Sequence, residues 1–190
     1  MGDRPGWAGP PASAVSIPIM LQDAPEYIGV SISPALVRRL AGSRPNIRYV
    51  KIEAGPDQTD QWVEALGSDI RVFTGDAGVH LLGCLRAGAV GNIPAVDVAD
   101  VICTAYAAER SGDQRAAEMT FAPLLPYLVF ALRDQDHCNA CTKEMLVQRG
   151  VLSHGELRAP ARSLSGFGKT YIRDCLARLE TLRTRIDGEP

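Results

Sequence analysis

Residues 47–76, IRYVKIEAGPDQTDQWVEALGSDIRVFTGD, decide the fold class because they combine a strand, a helix and a second strand in one short segment. Short apolar runs predict the two strands, and the stretch between them is predicted to be helical. The same alternation continues on both sides. Strands are predicted at 16–23, 47–53, 71–76 and 91–95. The order βαβαβαβα predicts an α/β fold with a parallel sheet.

Helices are predicted between and after these strands. Ser33 is the predicted N-cap of the first helix and Pro34 its first residue, because both residue types favour these positions. Pro123 and Pro126 are expected to interrupt a long helix farther along the chain. The remaining helices are predicted at 58–66, 79–87, 97–110, 114–133, 139–149 and 167–186.

The chain is predicted to have three segments. Residues 1–11 are rich in Gly and Pro and lack periodicity, so we expect them to be disordered. Residues 12–112 contain the four βα units. Residues 113–190 are predicted to form a helical extension that follows the sheet, with a loop at 151–162.

The composition is that of an ordinary soluble globular domain. The 190 residues include 46% hydrophobic and 22% charged residues, with a formal net charge of −2. Such a balance gives no electrostatic reason to expect nucleic acid or an anionic membrane as a partner. The longest apolar run, around residues 124–132, is too short to span a bilayer, and no stretch resembles a secretory signal. We therefore expect a cytoplasmic protein whose five cysteines are reduced thiols.

The strand at 47–53 carries the most informative side chains. Because side chains alternate along a strand, Val50 and Ile52 share one face, and Tyr49, Lys51 and Glu53 share the other. Helices normally cover the apolar face. In a barrel, the second face would point to the interior, and its C-terminal end would lie at the mouth of an active site.

A lysine in that position can be a nucleophile. Desolvation disfavours the ammonium form, and a neutral amine attacks a ketone to form an imine. The alternative is a Lys51–Glu53 ion pair without any catalytic role. The strand pattern alone leaves both readings open.

Three strings in this order resemble the dihydrodipicolinate synthase family of Schiff-base lyases, which includes N-acetylneuraminate lyase and several sugar-acid dehydratases and aldolases. They are IPIMLQDAP at 17–25, VKIEAGP at 50–56 and FTGDAGVHLLGCLRAGAVGNIPA at 73–95. The resemblance runs from about residue 12 to the C-terminus. It implies a partial TIM (β/α)8 barrel made of strands five to eight, with a C-terminal α-helical extension.

The resemblance also implies roles for individual residues. Lys51 falls on the imine-forming lysine of the family. Gln22 replaces the family's proton-relaying tyrosine, and a glutamine amide cannot act as an acid or base. Glu53 or Asp23 is expected to move protons in its place. The remaining substrate-binding positions are predicted at Gly75, Asp76, Gly91 and Ile93.

The function implied by the resemblance is that of a class I lyase. It would act on a small 2-keto acid, by an aldol-type or dehydration reaction, with no metal and no cofactor beyond the covalent imine on Lys51. The C-terminal stretch HCNACTKEMLVQRGVL at 137–152 comes nearest to the 2-keto-3-deoxy sugar-acid dehydratases, and a homo-oligomer is expected. The first four βα units and the family's threonine-rich carboxylate-binding motif are not found. The alternative is therefore a non-catalytic remnant, or a half-barrel subunit that needs a complementary N-terminal half.

One further cluster has the composition of a metal site. His137, Cys138 and Cys141 could supply three zinc ligands. Because no second pair of cysteines accompanies them, we interpret the two thiols as structural and expect no metal.

Overall fold

The structure is a computed structural model that describes residues 9–188, with side chains described for residues 12–181. Four strands form one sheet in the order β1-β2-β3-β4, and all neighbours are parallel. The strands are β1 (Ile19–Asp23), β2 (Ile47–Ile52), β3 (Arg71–Thr74) and β4 (Gly91–Asn92). The prediction of an α/β fold with a parallel sheet is therefore confirmed.

Helices precede, connect and follow the strands. They are α1 (Gly9–Ala14), α2 (Pro25–Ile28), α3 (Pro34–Ser43), α4 (Pro56–Leu66), α5 (Leu81–Arg86), α6 (Ala99–Ser111), α7 (Gln114–Phe121), α8 (Leu125–Ala131), α9 (Gln135–Gln148) and α10 (Gly166–Gly188). Helix α1 begins within the segment 1–11 that was expected to be disordered, and residues 1–8 lie outside the described residues.

Local sequence signals account for most helix boundaries. Ser33 caps α3 as predicted, since its hydroxyl accepts a hydrogen bond from Leu36 N at 3.2 Å. The long predicted helix is interrupted at the prolines, where a 3-10 turn at Ala122–Leu124 separates α7 from α8. Helix α9 begins four residues before its predicted start, because the Asp134 carboxylate accepts from His137 N at 2.8 Å and caps it there.

The chain divides into two compact units. The sheet unit comprises the residues up to Gly75 together with Gly83–Ile93, and the helical unit comprises Asp76–Leu82 and the residues from Pro94 onward. The predicted division into 12–112 and 113–190 follows family architecture and stays a prediction.

The core of the sheet unit lies between the sheet and helices α3 and α4. One face of β2 and β3 packs against apolar side chains of these helices. The buried members are Val37, Val50, Ile52, Ala54, Trp62, Leu66, Ile70 and Val72. This face of the sheet is therefore occupied, and the chemistry-bearing side chains of β2 project from the opposite face.

The helical unit has buried residues of its own. Helix α6 packs against α7, and α9 against α10. Fully buried side chains of this unit include Ala105, Leu124, Tyr127, Leu128, Met145 and Ile172. None of the helices within residues 9–188 combines the length and the apolar character that crossing a bilayer requires.

Candidate active site

Lys51 lies on the face of the sheet opposite the core that the sheet forms with α3 and α4. The register places Gln22 beside Lys51, Lys51 beside Phe73, and Phe73 beside Gly91. The Lys51 side chain is 17% exposed, and its Nζ lies 2.6 Å from Glu53 Oε1. The interpretation of this face from strand alternation is consistent with that arrangement. The amine is thus largely desolvated, with a carboxylate in direct contact.

Glu53 is held by its neighbours on three sides. Its side chain is only 5% exposed. Gln22 Nε2 donates to Glu53 Oε1 at 3.2 Å, and Glu53 N donates to Asp23 O at 3.1 Å. A Cβ added to Gly75 would lie 1.8 Å from Glu53 Oε2, so only glycine leaves room for this carboxylate. We call Gln22, Lys51 and Glu53 the lysine site.

The geometry of the lysine site allows proton transfer. A carboxylate 2.6 Å from an ammonium group can accept its proton and leave a neutral amine. A buried pair of this kind also requires good geometry, because the desolvation of two charges opposes their attraction. The Gln22 amide contributes to that geometry by donating to the carboxylate oxygen that contacts Lys51.

Asp23 lies on the other face of the sheet. Its register partner is Ile52, which belongs to the helix-covered core, and the Asp23 residue is 3% exposed. The Asp23 carboxylate accepts from Ser31 Oγ at 3.0 Å and from Ile32 N at 2.9 Å, which fixes the loop that leads to α3. The structure therefore brings Glu53, and not Asp23, to Lys51.

The remaining predicted substrate-binding residues are placed as follows. Gly91 lies against the Phe73 ring, where an added Cβ would be 2.9 Å from Cε1. Ile93 is exposed, and its N donates to Thr74 O at 2.9 Å. Asp76 belongs to the helical unit, and its φ of 49° lies in the left-handed region. Its role in substrate binding stays a prediction.

The sequence reasoning missed Asn92, a residue of β4 whose side chain binds the end of β3. Its Nδ2 donates to Thr74 O at 3.0 Å, Thr74 Oγ1 at 3.1 Å and Gly75 O at 2.9 Å. The available signal was a polar residue in a short strand between Gly91 and Ile93, where the sheet was expected to be apolar.

A second polar cluster lies in the helical unit around Asp97, which is 1% exposed. The Tyr127 hydroxyl donates to Asp97 Oδ2, and Thr142 Oγ1 donates to Oδ1 at 3.4 Å. Arg149 donates to Asp97 O and makes two bonds to the Asp100 carboxylate, at 3.1 and 2.6 Å. We call Asp97, Tyr127, Thr142 and Arg149 the Asp97 cluster.

Burial dominates the protonation equilibria of this cluster. It raises the pKa of the Asp97 carboxyl above its usual range, although the hydrogen bond from Tyr127 opposes the shift. Burial, with the charge of Asp97, raises the pKa of the Tyr127 hydroxyl. Burial also raises the pKa of the Cys141 thiol to about 12. Within the residues that the structure describes, no three His, Cys, Asp or Glu side chains are arranged to hold a metal ion.

Comparison with known proteins identifies the family. The model of the dihydrodipicolinate synthetase family matches residues 12–178. The chain belongs to this family. The match includes the whole sheet and the lysine site, and it confirms the resemblance inferred from the three strings.

The relatives of this chain include two kinds of enzyme. The L-2-keto-3-deoxyarabonate dehydratase of Azospirillum brasilense is 28% identical over 178 residues, which cover 92% of this chain and 56% of that protein. The 4-hydroxy-tetrahydrodipicolinate synthase of Methanococcoides burtonii is 29% identical over 183 residues, which cover 90% of this chain and 59% of that protein.

Solved structures of the family have the same fold. The 4-hydroxy-tetrahydrodipicolinate synthase of Methylacidiphilum fumariolicum SolV superposes with a TM-score of 0.81 at 25% identity, covering 93% of this chain and 58% of that one. The prophage protein YagE of E. coli K12, crystallised in complex with pyruvate, gives a TM-score of 0.78 at 26% identity over 89% of this chain and 58% of its own. This chain thus spans a little over half the length of these relatives.

Proposed function

We propose that this chain carries the imine-forming lysine of a lyase that acts on a small 2-keto acid. The observation that carries the proposal is the 2.6 Å contact between Lys51 Nζ and Glu53 Oε1, on a lysine whose side chain is 17% exposed. A desolvated amine that can pass its proton to a neighbouring carboxylate is a competent nucleophile toward a carbonyl. Relatives that are synthases and a dehydratase of keto acids, and a relative crystallised with pyruvate, support this choice.

The proposed reaction begins with attack of Lys51 Nζ on the keto carbon. The carbonyl oxygen takes up protons and leaves as water, which gives the imine. The protonated imine withdraws electrons, so the adjoining carbon loses a proton to Glu53 and an enamine forms. The enamine then either takes part in aldol-type chemistry or expels hydroxide from the next carbon. Reprotonation and hydrolysis release the product and regenerate the amine, without a metal or a dissociable cofactor.

The substrate would lie over the face of the sheet that carries Lys51. In this arrangement the Gln22 amide has two roles, since it orients Glu53 and borders the substrate. Gln22 stands in place of a proton-relaying tyrosine, so the proposed proton carrier is Glu53. The other proposed contacts with the substrate come from Gly75, Asp76, Gly91 and Ile93.

We further propose that β1 to β4 correspond to strands five to eight of a (β/α)8 barrel, with residues 113–190 as its helical extension. The order of the three strings in the sequence and the share of the relatives that the chain covers support this assignment. In a barrel the strand ends after Lys51 and Thr74 would face the active-site mouth. The cytoplasmic location stays a prediction.

A second candidate function is that of a half-barrel subunit, active only with a complementary N-terminal half, or of a remnant without catalysis. Among the described residues, β1 pairs with β2 alone and β4 with β3 alone, so each has one open edge. Open strand edges readily pair with another chain. The partner in this case would be the complementary half or a second copy of this chain in a homo-oligomer.

Reductive trapping tests the proposal. The purified chain is incubated with pyruvate and borohydride, which fixes an imine as a stable amine, and the adduct is located by peptide mass spectrometry. The chain's lysines are Lys51, Lys143 and Lys169. Lys169 is half-exposed and serves as an internal control for non-specific labelling. We expect the adduct at Lys51 alone.

The other outcomes have definite meanings. Labelling at Lys169 equal to that at Lys51 would show that the site has no special reactivity. A folded chain that gives no adduct would contradict catalysis by this chain alone and favour the second candidate. Circular dichroism of the same sample establishes that the chain is folded.

A further inference from the structure

The Asn92 side chain makes hydrogen bonds beyond those that pair its own strand with β3. Strand β4 consists of Gly91 and Asn92 and pairs with β3 through backbone hydrogen bonds. The Asn92 side chain adds three contacts to the last residues of β3, through Nδ2 to the two oxygens of Thr74 and to the carbonyl of Gly75. Its Oδ1 is buried and has no hydrogen-bond partner among the described residues. An unpartnered buried acceptor is destabilising, so any stabilising contribution of the amide comes from its nitrogen.

The segment that Asn92 holds ends in a strained turn. The two residues after Gly75, Asp76 and Ala77, both have φ of 49°. Non-glycine residues rarely adopt this conformation, and it persists only where the surroundings fix it. Gly75 N donates to Ile52 O at 3.0 Å on the β2 side. The Asn92 amide fixes Gly75 from the other side.

The same glycine forms the surface against which the Glu53 carboxylate lies. The 1.8 Å distance from a Gly75 Cβ to Glu53 Oε2 shows how closely this backbone approaches the carboxylate. A continuous series of contacts therefore runs from Asn92 through Gly75 to Glu53 and on to Lys51 Nζ. Movement of Gly75 by a few tenths of an ångström would open space behind Glu53.

From this series we infer that Asn92 is a positioning residue for the Lys51–Glu53 pair. Its amide fixes Gly75, and Gly75 in turn confines the Glu53 carboxylate to one position, in contact with the lysine amine. The inference rests on the proposed function for its catalytic meaning, but the positioning itself is a property of the folded chain. It can therefore be tested with and without activity.

A double-mutant cycle between Asn92→Ala and Glu53→Ala tests the positioning. If Asn92 acts by positioning Glu53, removing the Asn92 side chain destabilises the chain less when the Glu53 side chain is already absent. We expect the unfolding equilibrium constant of the double variant to differ by at least about threefold from the product of the two single effects, as for coupled neighbours. Urea unfolding followed by circular dichroism gives these constants. Asn92→Ser, whose hydroxyl can still donate, replaces Asn92→Ala if the latter fails to fold.

Asn46, which lies immediately before β2, offers a matched control. Its Nδ2 also donates to three backbone carbonyls, of Ala12, Val15 and Ile17, but it precedes β2 whereas Glu53 follows it. We expect the effects of Asn46→Ala and Glu53→Ala to multiply within about twofold, as independent sites do. If the Asn92 cycle is as multiplicative as this control, the inference is wrong.

Imine trapping provides the second readout. In Asn92→Ala a displaced carboxylate is a poorer proton acceptor for Lys51, so the trapping rate at a fixed pH should fall, while Asn46→Ala leaves it unchanged and Asn92→Ser restores part of it. An Asn92→Ala trapping rate identical to the native one would also contradict the inference. If the native chain itself forms no adduct, the proposed function fails, and the unfolding cycle still decides whether Asn92 positions Glu53.

Discussion

The lysine site and the Asp97 cluster are both polar networks in which a carboxylate is buried, yet they differ in the kind of cation that they contain. In the Asp97 cluster, the carboxylate oxygens accept from Tyr127 and Thr142, and Arg149 is bound by Asp100. At the lysine site, the cation beside the carboxylate is the Lys51 amine, which can be deprotonated, whereas a guanidinium stays charged. A buried group with a perturbed pKa can be purely structural, so the amine with a proton acceptor beside it is the stronger candidate for chemistry.

The largest expected effect comes from replacing the nucleophile. Lys51→Arg keeps a cation beside Glu53, but a guanidinium is always charged and forms no imine. We expect complete loss of the pyruvate–borohydride adduct with the fold retained. Intact mass measurement and circular dichroism check the two statements. An adduct that persists in the variant would place the reactive amine elsewhere and remove the distinction between the two networks.

The next largest effect is expected at Gly75. The Cβ of Gly75→Ala would collide with Glu53 Oε2, so the carboxylate must leave Lys51 or the strand must shift. Overpacking of this kind costs about 1–3 kcal/mol in the free energy of unfolding. We also expect the trapping rate to fall at least tenfold, which corresponds to an activation free energy that is higher by about 1.4 kcal/mol.

Gly42 is the matched control for this substitution. It lies in α3, and no atom would come within 4 Å of its added Cβ. Gly42→Ala is therefore expected to stabilise the chain by about 0.5–1 kcal/mol, because alanine is the better helix former. If the two variants behave equally in unfolding and in trapping, Gly75 does not fix the position of the Glu53 carboxylate.

The two carboxylates predicted to move protons can be separated by amide substitutions. Glu53→Gln keeps the shape of the side chain and removes its basicity, so we expect the trapping rate to fall by about a hundredfold or more. Asp23→Asn weakens two hydrogen bonds to a charged acceptor, worth about 1.5–3 kcal/mol each, and should lower stability while the folded protein keeps its trapping rate. The reverse pattern would assign the proton-moving role to Asp23.

Sequence reasoning recovered the parts of this molecule that depend on local rules. Strand alternation placed Lys51 and Glu53 on one face, and the Ser33 cap set the start of α3, since both follow from neighbours along the chain. The same reasoning could not choose between Glu53 and Asp23. That choice depends on how the loop after β1 returns its Ser31 and Ile32 groups to Asp23, and no local pattern encodes such a contact.

Contacts between distant residues were harder still to predict. Asn92 reaches Gly75 across 17 residues of sequence, and Tyr127 reaches Asp97 across 30. Neither pair has a spacing that marks it, because the sheet register and the helix packing bring the partners together. Family resemblance compensated for this at the lysine site, where motifs exist, but offered nothing for Asn92 or for the Asp97 cluster.

The smallest expected effect concerns the pH dependence of stability in the Asp97 cluster. Burial raises the folded-state pKa of the Asp97 carboxyl above its usual 3.8, so the folded state binds the proton more tightly than the unfolded state. The stability that this proton contributes is present below the unfolded-state pKa and is lost as the pH rises through the folded-state pKa. Asp97→Asn removes this dependence.

The stability of Asp97→Asn relative to the native chain should therefore increase as the pH rises from about 3.8 through the raised folded-state pKa of Asp97. The increase is about 1.4 kcal/mol for each tenfold difference in proton affinity between the folded and unfolded states. Any constant loss from altered hydrogen bonds to Tyr127 and Thr142 shifts the whole curve and leaves its slope unchanged. Urea unfolding at several pH values measures that slope. Parallel curves for the two proteins would mean that the folded protein stabilises the charged Asp97 carboxylate as well as water does. Burial would then not distinguish the Asp97 cluster from the lysine site, and the two networks would differ only in the Lys51 amine that contacts Glu53.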